Sequence, residues 1–471
     1  MRDQFLLQFE GQSIVLLGFG REGQASYTAL RKVFPEKMLA IADANDKVRE
    51  NPLLNGDGHI GFITGPDYLQ GLNTFDVIIR SPGIPLWNVH PAIAREKITS
   101  QTDIFLRAFA SQVIGVTGTK GKSTTSSLIH HVLQTAGEES LLAGNIGNPA
   151  FHFLDIIGTK TKIVFELSSH QLEYIERAPH ISVLLNLFQE HLDAYAGYEE
   201  YQLAKMNITK YQDKLDYLVY HADDPLVQQH VPDYQDRRRL YPFSLSQSLS
   251  PGGFIRDGVL CFSDGQRVTP VWTIHQDRFL RGEHNLKNIL AALNVCMILG
   301  LDPEAIAEGI ATFKGLEHRL EYVGEFRNIH FYNDSIATIP EACMEAVRAI
   351  PDVDTLLAGG FDRGIDYSSL ASFLMASSVR NLILLGAAGK RIGEFLEKPN
   401  PIGKRIFYIN RFDDFAAIAF RETRPGKACM LSPAAASYDE FNNFEERGKR
   451  FRMLVKGFPG SCHQPSLNNG K

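Results

Sequence analysis

Three times along the chain a short apolar run ends in a glycine turn and gives way to apolar residues at helical spacing. The first run is Ile14-Val15-Leu16-Leu17, followed by Gly18 to Gly23 and then Ala25, Leu30 and Val33. The second is Val113-Ile114-Gly115-Val116, a glycine-rich loop, and then Leu128, Ile129, Val132 and Leu133. The third is Thr355-Leu356-Leu357-Ala358, then Gly359-Gly360, with Leu382-Ile383-Leu384-Leu385 following ahead of Gly386. Strands with no polar alternation are buried on both faces, so the pattern predicts an α/β fold of parallel sheets covered by helices. From Pro232 to Pro270, Arg237-Arg238-Arg239, several serines and Pro251-Gly252-Gly253 predict hairpins or loops instead.

Length adds domain count. At ~150 residues per domain, 471 residues suggest three domains, with boundaries near Phe109 and near Gly315. A hydrophobic content of 44% and a net charge of -6 are those of a globular protein whose main partner is neither nucleic acid nor an anionic membrane. Cys261, Cys296, Cys343, Cys429 and Cys462 are scattered and form no CxxC, which suits reduced thiols and no zinc site. The N-terminus lacks a signal-peptide pattern, and no apolar run reaches the ~18 residues of a membrane span. The expected location is the cytoplasm.

Two turns carry candidate chemistry. Gly18-Phe19-Gly20-Arg21-Glu22-Gly23 lies between a strand and a helix, and Asp43 follows the next apolar run. That is the pattern of a dinucleotide site: backbone close to a pyrophosphate at a helix N-terminus, and an acid for a ribose hydroxyl. Any pyrophosphate ligand satisfies it, so an NAD-linked oxidoreductase stands as an alternative on these residues alone. Gly118-Thr119-Lys120-Gly121-Lys122-Ser123-Thr124 is a stronger signal. Its amides can cradle phosphates, Lys122 can reach the β/γ-phosphates and Ser123 can meet Mg²⁺. Val116 stands where the usual P-loop has its first glycine.

Glu166 ends the apolar run Ile163-Val164-Phe165, where a second metal contact beside a phosphate loop belongs. His191, in Glu190-His191-Leu192-Asp193, and Lys205 on the following helix gain no role from pattern alone. In the last third, His318-Arg319 and Tyr332-Asn333-Asp334-Ser335 are similar to phosphate- and ribose-binding pairs.

With these residues in place the chain resembles the Mur ligase family, and within it the branch that adds glutamate to UDP-N-acetylmuramoyl-L-alanine. The resemblance rests on Gly118 to Thr124, Ala143 to Gly147, Phe165 to Glu173, Gly282-Glu283-His284-Asn285, Gly315 to Arg319 and Tyr332 to Ser335. It continues through Leu431 to Ser437 and Asn443 to Gly448. It implies three domains: a Rossmann-like N-terminal domain (1–109) for the UDP-substrate, a P-loop-type central ATPase domain with a parallel sheet (110–315), and a Rossmann-like C-terminal domain (316–471) for the amino acid.

The resemblance also implies roles. Gly18, Phe19, Gly20, Arg21, Asp43, Ser81, Gly83 and Asn145 would hold the UDP-substrate. Gly118 to Thr124, Asn285, Asn288, Arg319 and Asp334 would hold ATP. Lys122, Glu166, His191 and Lys205 would be catalytic, and Ser123, Glu166, His191 and a carbamylated Lys205 would bind magnesium. Thr338, Arg363, Ser437 and Phe444 would contact glutamate. The implied enzyme is a cytoplasmic, monomeric, ATP-dependent ligase of peptidoglycan precursor synthesis, working through an acyl phosphate.

One position departs from the family. Where the glutamate-adding branch reads Asn-Asp-Ser-Lys-Ala-Thr, this chain has Asn333-Asp334-Ser335-Ile336-Ala337-Thr338. An aliphatic side chain cannot pair with a carboxylate. Either Arg363 suffices and D-glutamate remains the substrate, or the pocket takes L-glutamate.

Overall fold

The computed structural model describes residues 4–84, 93–188, 195, 197–231, 239–275, 279–280, 282–350, 352–396 and 403–459. The chain forms two compact units, Met1–His275 with Glu283–Thr312, and Gln276–Gly282 with Phe313–Lys471.

The first unit carries two sheets. β1 (Ile14–Leu17), β2 (Leu39–Asp43), β3 (Ile60–Thr64), β4 (Val77–Arg80) and β5 (Ile98–Ser100) form a parallel sheet in the order β3-β2-β1-β4-β5. Every residue of β1 is buried, as its uninterrupted apolar run requires. The strand order reverses between β1 and β4, and in such sheets ligands bind at the carboxyl ends of the strands flanking the reversal.

The second sheet has nine strands: β6 (Val113–Thr117), β7 (Ser140–Gly144), β8 (Lys162–Glu166), β9 (Ile181–Leu184), β10 (Tyr217–His221), β11 (Arg239–Ser244), β12 (Gly252–Arg256), β13 (Val259–Ser263) and β14 (Val268–Thr273). Their order is β14-β13-β12-β11-β10-β9-β6-β8-β7, so β6 sits between β8 and β9 at a second reversal. β12 to β14 are an antiparallel meander, which accounts for the hairpin signals between Pro251 and Pro270. β11, in contrast, is a parallel strand inside the segment expected to be hairpins or loops. Its pairing to β10 is a tertiary event that local turn chemistry does not announce.

The second unit holds β15 (Glu321–Phe326), β16 (Ile329–Asn333), β17 (Val353–Gly359), β18 (Asn381–Leu385), β19 (Arg405–Ile409) and β20 (Ala428–Leu431), ordered β15-β16-β20-β17-β18-β19. All pairs are parallel except the β15–β16 hairpin, whose two-residue turn, Arg327-Asn328, takes left-handed φ of +53° and +61°. The third apolar run of the sequence becomes β17, and the helix Ser368–Ala376 leads from it to β18.

Among the described residues no helix is long and apolar enough to cross a membrane. Four of the five cysteines are described; all four are buried and free, and Cys462 lies outside the described residues.

Candidate active site

The phosphate loop joins β6 to the helix Lys122–Thr135, so its amides and the helix N-terminus face the same space. Gly121 caps that helix at φ +89°, and a Cβ there would lie 2.4 Å from Asn288 Oδ1. Only glycine allows both the left-handed backbone and the approach of Asn288. Asn288 in turn accepts from Thr125 Oγ1 at 3.3 Å and donates to Asn285 Oδ1 at 3.1 Å. Of the two asparagines expected at ATP, Asn288 thus reaches the loop from the helix Glu283–Ile298, and Asn285 is hydrogen-bonded to it.

Lys122 Nζ folds back on its own loop, donating to the carbonyls of Gly118 (2.9 Å) and Thr119 (3.0 Å). Lys205, on the helix Tyr198–Lys210 and only 2% exposed, donates to the same Gly118 carbonyl at 3.0 Å. The sequence separates these lysines widely; the fold brings them to one oxygen. Lys120 is anchored through its backbone: its N–H donates to Asn186 Oδ1 at 2.8 Å, and its carbonyl accepts from Asn186 Nδ2 at 2.9 Å. Ser123 and the buried Thr124 lie in the first turn of the helix.

Glu166 ends β8, one strand from β6, and is wholly buried. Its Oε1 accepts from Asn145 Nδ2 at 2.8 Å, whereas Oε2 is buried without a hydrogen-bond partner. A carboxylate oxygen left bare inside a protein is costly unless a cation meets it, and a carboxylate oxygen suits a hard cation such as Mg²⁺. The site therefore fits a magnesium contact. Among the described residues no group of three or more His, Cys, Asp or Glu side chains clusters as a metal cage. His191 lies outside the described residues.

The N-terminal turn forms a second centre. Gly23 packs so closely on the turn that a Cβ would lie 2.1 Å from the Gly18 carbonyl oxygen, and Ser81 Oγ donates to that oxygen at 2.9 Å. Asp43 holds the loop itself, accepting from the backbone amides of Phe19 and Asn45, both at 2.8 Å. Gly20 caps the helix Arg21–Val33, and Gly83 is exposed in the turn after β4. Arg21 donates to the Gly147 carbonyl at 2.6 Å, beside the Asn145 segment. Glu22 accepts from Gln171 at 2.7 Å, and burial pushes its carboxyl up to about 7 against the opposing pull of Gln171, Arg80 and Arg21. Turn and Glu166 segment are thereby stitched together within one compact unit.

In the second unit, Asp334 follows β16, buried, accepting from Ser432 Oγ (2.8 Å) and the Leu320 amide (3.1 Å). Burial pushes its carboxyl up to about 7 in spite of those bonds and the charge of Arg319. Arg319 itself is exposed. Arg363 donates to the Thr338 carbonyl at 2.8 Å, bringing two of the expected glutamate contacts together. Ser437 is buried beyond β20, Phe444 opens the helix Phe444–Gly457, and Ile336 is half-buried with its amide on the His318 carbonyl at 3.1 Å.

Sequence reasoning gave no role to Arg447. It is 1% exposed and donates to Ser335 Oγ (3.1 Å) and to the carbonyls of Ser335 (2.9 Å), Ala435 (3.1 Å) and Ala436 (3.0 Å). One guanidinium therefore ties the Asp334-Ser335 turn to the loop carrying Ser437. Asn186 and Tyr201 likewise carry no sequence motif of their own; only the position of Asn186, just past the apolar run of β9, is a signal.

A family model described as Mur ligase middle domain matches residues 116–296. The chain is 37% identical over 407 residues to the UDP-N-acetylmuramoylalanine--D-glutamate ligase of Symbiobacterium thermophilum, covering 84% of this chain and 87% of that one. To the ligase of the same name from Listeria monocytogenes it is 35% identical over 462 residues, covering 95% and 97%. Among solved structures, MurF of Acinetobacter baumannii shares the fold at a TM-score of 0.60 with 14% identity, covering 96% of this chain and 98% of that one. MurC of Thermotoga maritima does so at 0.56 with 18% identity, covering 93% and 98%.

Proposed function

Because the chain belongs to the Mur ligase family, we propose that it is the ATP-dependent ligase joining glutamate to UDP-N-acetylmuramoyl-L-alanine, a monomer working in the cytoplasm. The observation that carries this reading is the phosphate loop with Lys122 at its helix and the bare Glu166 Oε2 one strand away. The domain roles follow the proposed boundaries: 1–109 for the UDP-substrate, 110–315 for ATP and 316–471 for the amino acid.

ATP passes its γ-phosphoryl group to the substrate's terminal carboxylate, giving an acyl phosphate and ADP. The amine of glutamate attacks the carbonyl, loses a proton, and phosphate leaves as the amide forms. Little covalent work falls to the protein, so its residues act by positioning and by stabilising charge. The loop amides cradle the phosphates and Lys122 moves from its own carbonyls to the β/γ-phosphates. Asn285 and Asn288 support the adenine side, and Arg319 and Asp334 are assigned to phosphate and ribose. Asn145 orients the muramoyl substrate. Ser123 and Glu166, with His191 and Lys205 once carbamylated, would hold magnesium, which when bound neutralises phosphate charge.

D-glutamate is the proposed amino acid, with Arg363, Thr338, Ser437 and Phe444 as its contacts. Ile336 favours a second reading, L-glutamate, because it places no charge where the family pattern has lysine. Phosphate release from ATP with UDP-N-acetylmuramoyl-L-alanine, offered each enantiomer separately, decides between them. Absence of release with both enantiomers would remove the ligase assignment.

A further inference from the structure

Tyr201 is buried completely, in the helix Tyr198–Lys210, one helical turn before Lys205 and on the same face. Its hydroxyl lies 2.9 Å from Thr119 Oγ1, inside the phosphate loop, and its ring lies 4.9 Å from Lys205 Nζ. Thr119 Oγ1 also accepts from the Phe188 amide at 2.9 Å, so this hydroxyl joins three segments. Lys205 closes the circuit by donating to the Gly118 carbonyl at 3.0 Å. Tyr198 stacks on the Tyr201 ring and Tyr195 meets it edge-on, with centroids 6.1 Å and 5.7 Å away.

A phenol held on two sides by aromatic rings has little freedom, so its hydroxyl is a fixed post for the loop. We propose that Tyr201 is a positioning residue for ATP: through Thr119 it sets the phosphate loop in its nucleotide-ready shape, and its ring packs against the Lys205 side chain. This rests on the reading that the loop binds ATP. Tyr201 acts through Thr119 and Lys205.

A double-mutant cycle tests the link, using Tyr201→Phe, which keeps the ring, and Thr119→Val, which keeps the shape. ADP affinity is read by calorimetry, and the KM for ATP and for UDP-N-acetylmuramoyl-L-alanine by phosphate release. A buried neutral hydrogen bond corresponds to about a 2- to 10-fold effect. Each single variant is expected to weaken ADP binding and raise the KM for ATP by about that factor, leaving the KM for the UDP-substrate unchanged. The double variant is expected to be no worse than the worse single one. Additive losses, an unchanged Tyr201→Phe, or equal rises in both KM values would overturn the proposal. If the unaltered protein binds no ADP at all, the underlying ATP-site reading fails instead.

Discussion

Asn145 Nδ2 donates to one oxygen of Glu166 at 2.8 Å, and the other oxygen of that buried carboxylate has no hydrogen-bond partner. The pair fixes the carboxylate's orientation and leaves one lone-pair face for a cation. Removing the amide in Asn145→Ala frees the carboxylate to rotate, and such orienting partners are worth about 10- to 100-fold in metal affinity or activity. The expected result is a shift of the magnesium activation curve to higher concentration by that order. An activation curve that stays in place would show that Glu166 does not meet the metal.

Lys122 is the only charged side chain of the loop helix's first turn, and it rests on the Gly118 and Thr119 carbonyls. Lys122→Ala keeps the backbone cradle and loses the cation for the transferring phosphoryl group. Removal of one such preorganised group costs about 100- to 1000-fold in kcat. Phosphate release at the rate of the unaltered protein with all substrates present would contradict the assignment.

Glu22 gives a pH signature. Its carboxyl is pushed by burial from 4.5 to about 7 in the folded chain. Between those values the folded state holds one proton more than the unfolded state, so raising the pH weakens folding across that window and not above it. In Glu22→Gln this loss disappears. The variant's urea midpoint relative to the unaltered protein is expected to rise from about pH 5 to about pH 8; a constant difference would mean Glu22 is ionised in the fold throughout. Asp334 titrates with the same sign in both proteins and cancels from the comparison.

Arg447→Ala takes the guanidinium from Ser335 Oγ and from the Ser335 and Ala435 carbonyls at once, and leaves the Ala436 carbonyl with the Phe361 amide alone. Each unsatisfied buried group costs about 1–3 kcal/mol, softened where water enters the space. A loss of about 3 kcal/mol or more in the second unit is expected from denaturant unfolding, with a rise in the KM for glutamate. A stability change below about 1 kcal/mol would show that these carbonyls find other partners.

The strands and the phosphate loop were legible because their signals are local. An uninterrupted apolar run, a glycine turn and a helical period lie within about twenty residues of each other, as at Ile14 to Val33. Glu166 was legible for a related reason: a charge closing an apolar run must sit at a strand end. Three features were not. The Tyr201–Thr119 contact spans 82 positions and the Arg447–Ser335 contact 112, so neither leaves a periodicity to read. The spacing of Asp43 points to a ribose acid, while the fold also uses it to hold the Phe19 amide, a role spacing does not reveal. Ile336 remains visible in sequence as a departure, half-buried two residues before Thr338, whose carbonyl accepts from Arg363.

Oxygen transfer tests the acyl phosphate most directly. UDP-N-acetylmuramoyl-L-alanine labelled with ¹⁸O in its terminal carboxylate is turned over with ATP and glutamate, and the released phosphate is analysed by mass spectrometry. If the carboxylate attacks the γ-phosphorus, one labelled oxygen leaves in each phosphate and the other stays in the new amide. Phosphate released without label would mean that water, and not the substrate carboxylate, takes the phosphoryl group, and the proposed reaction would be wrong.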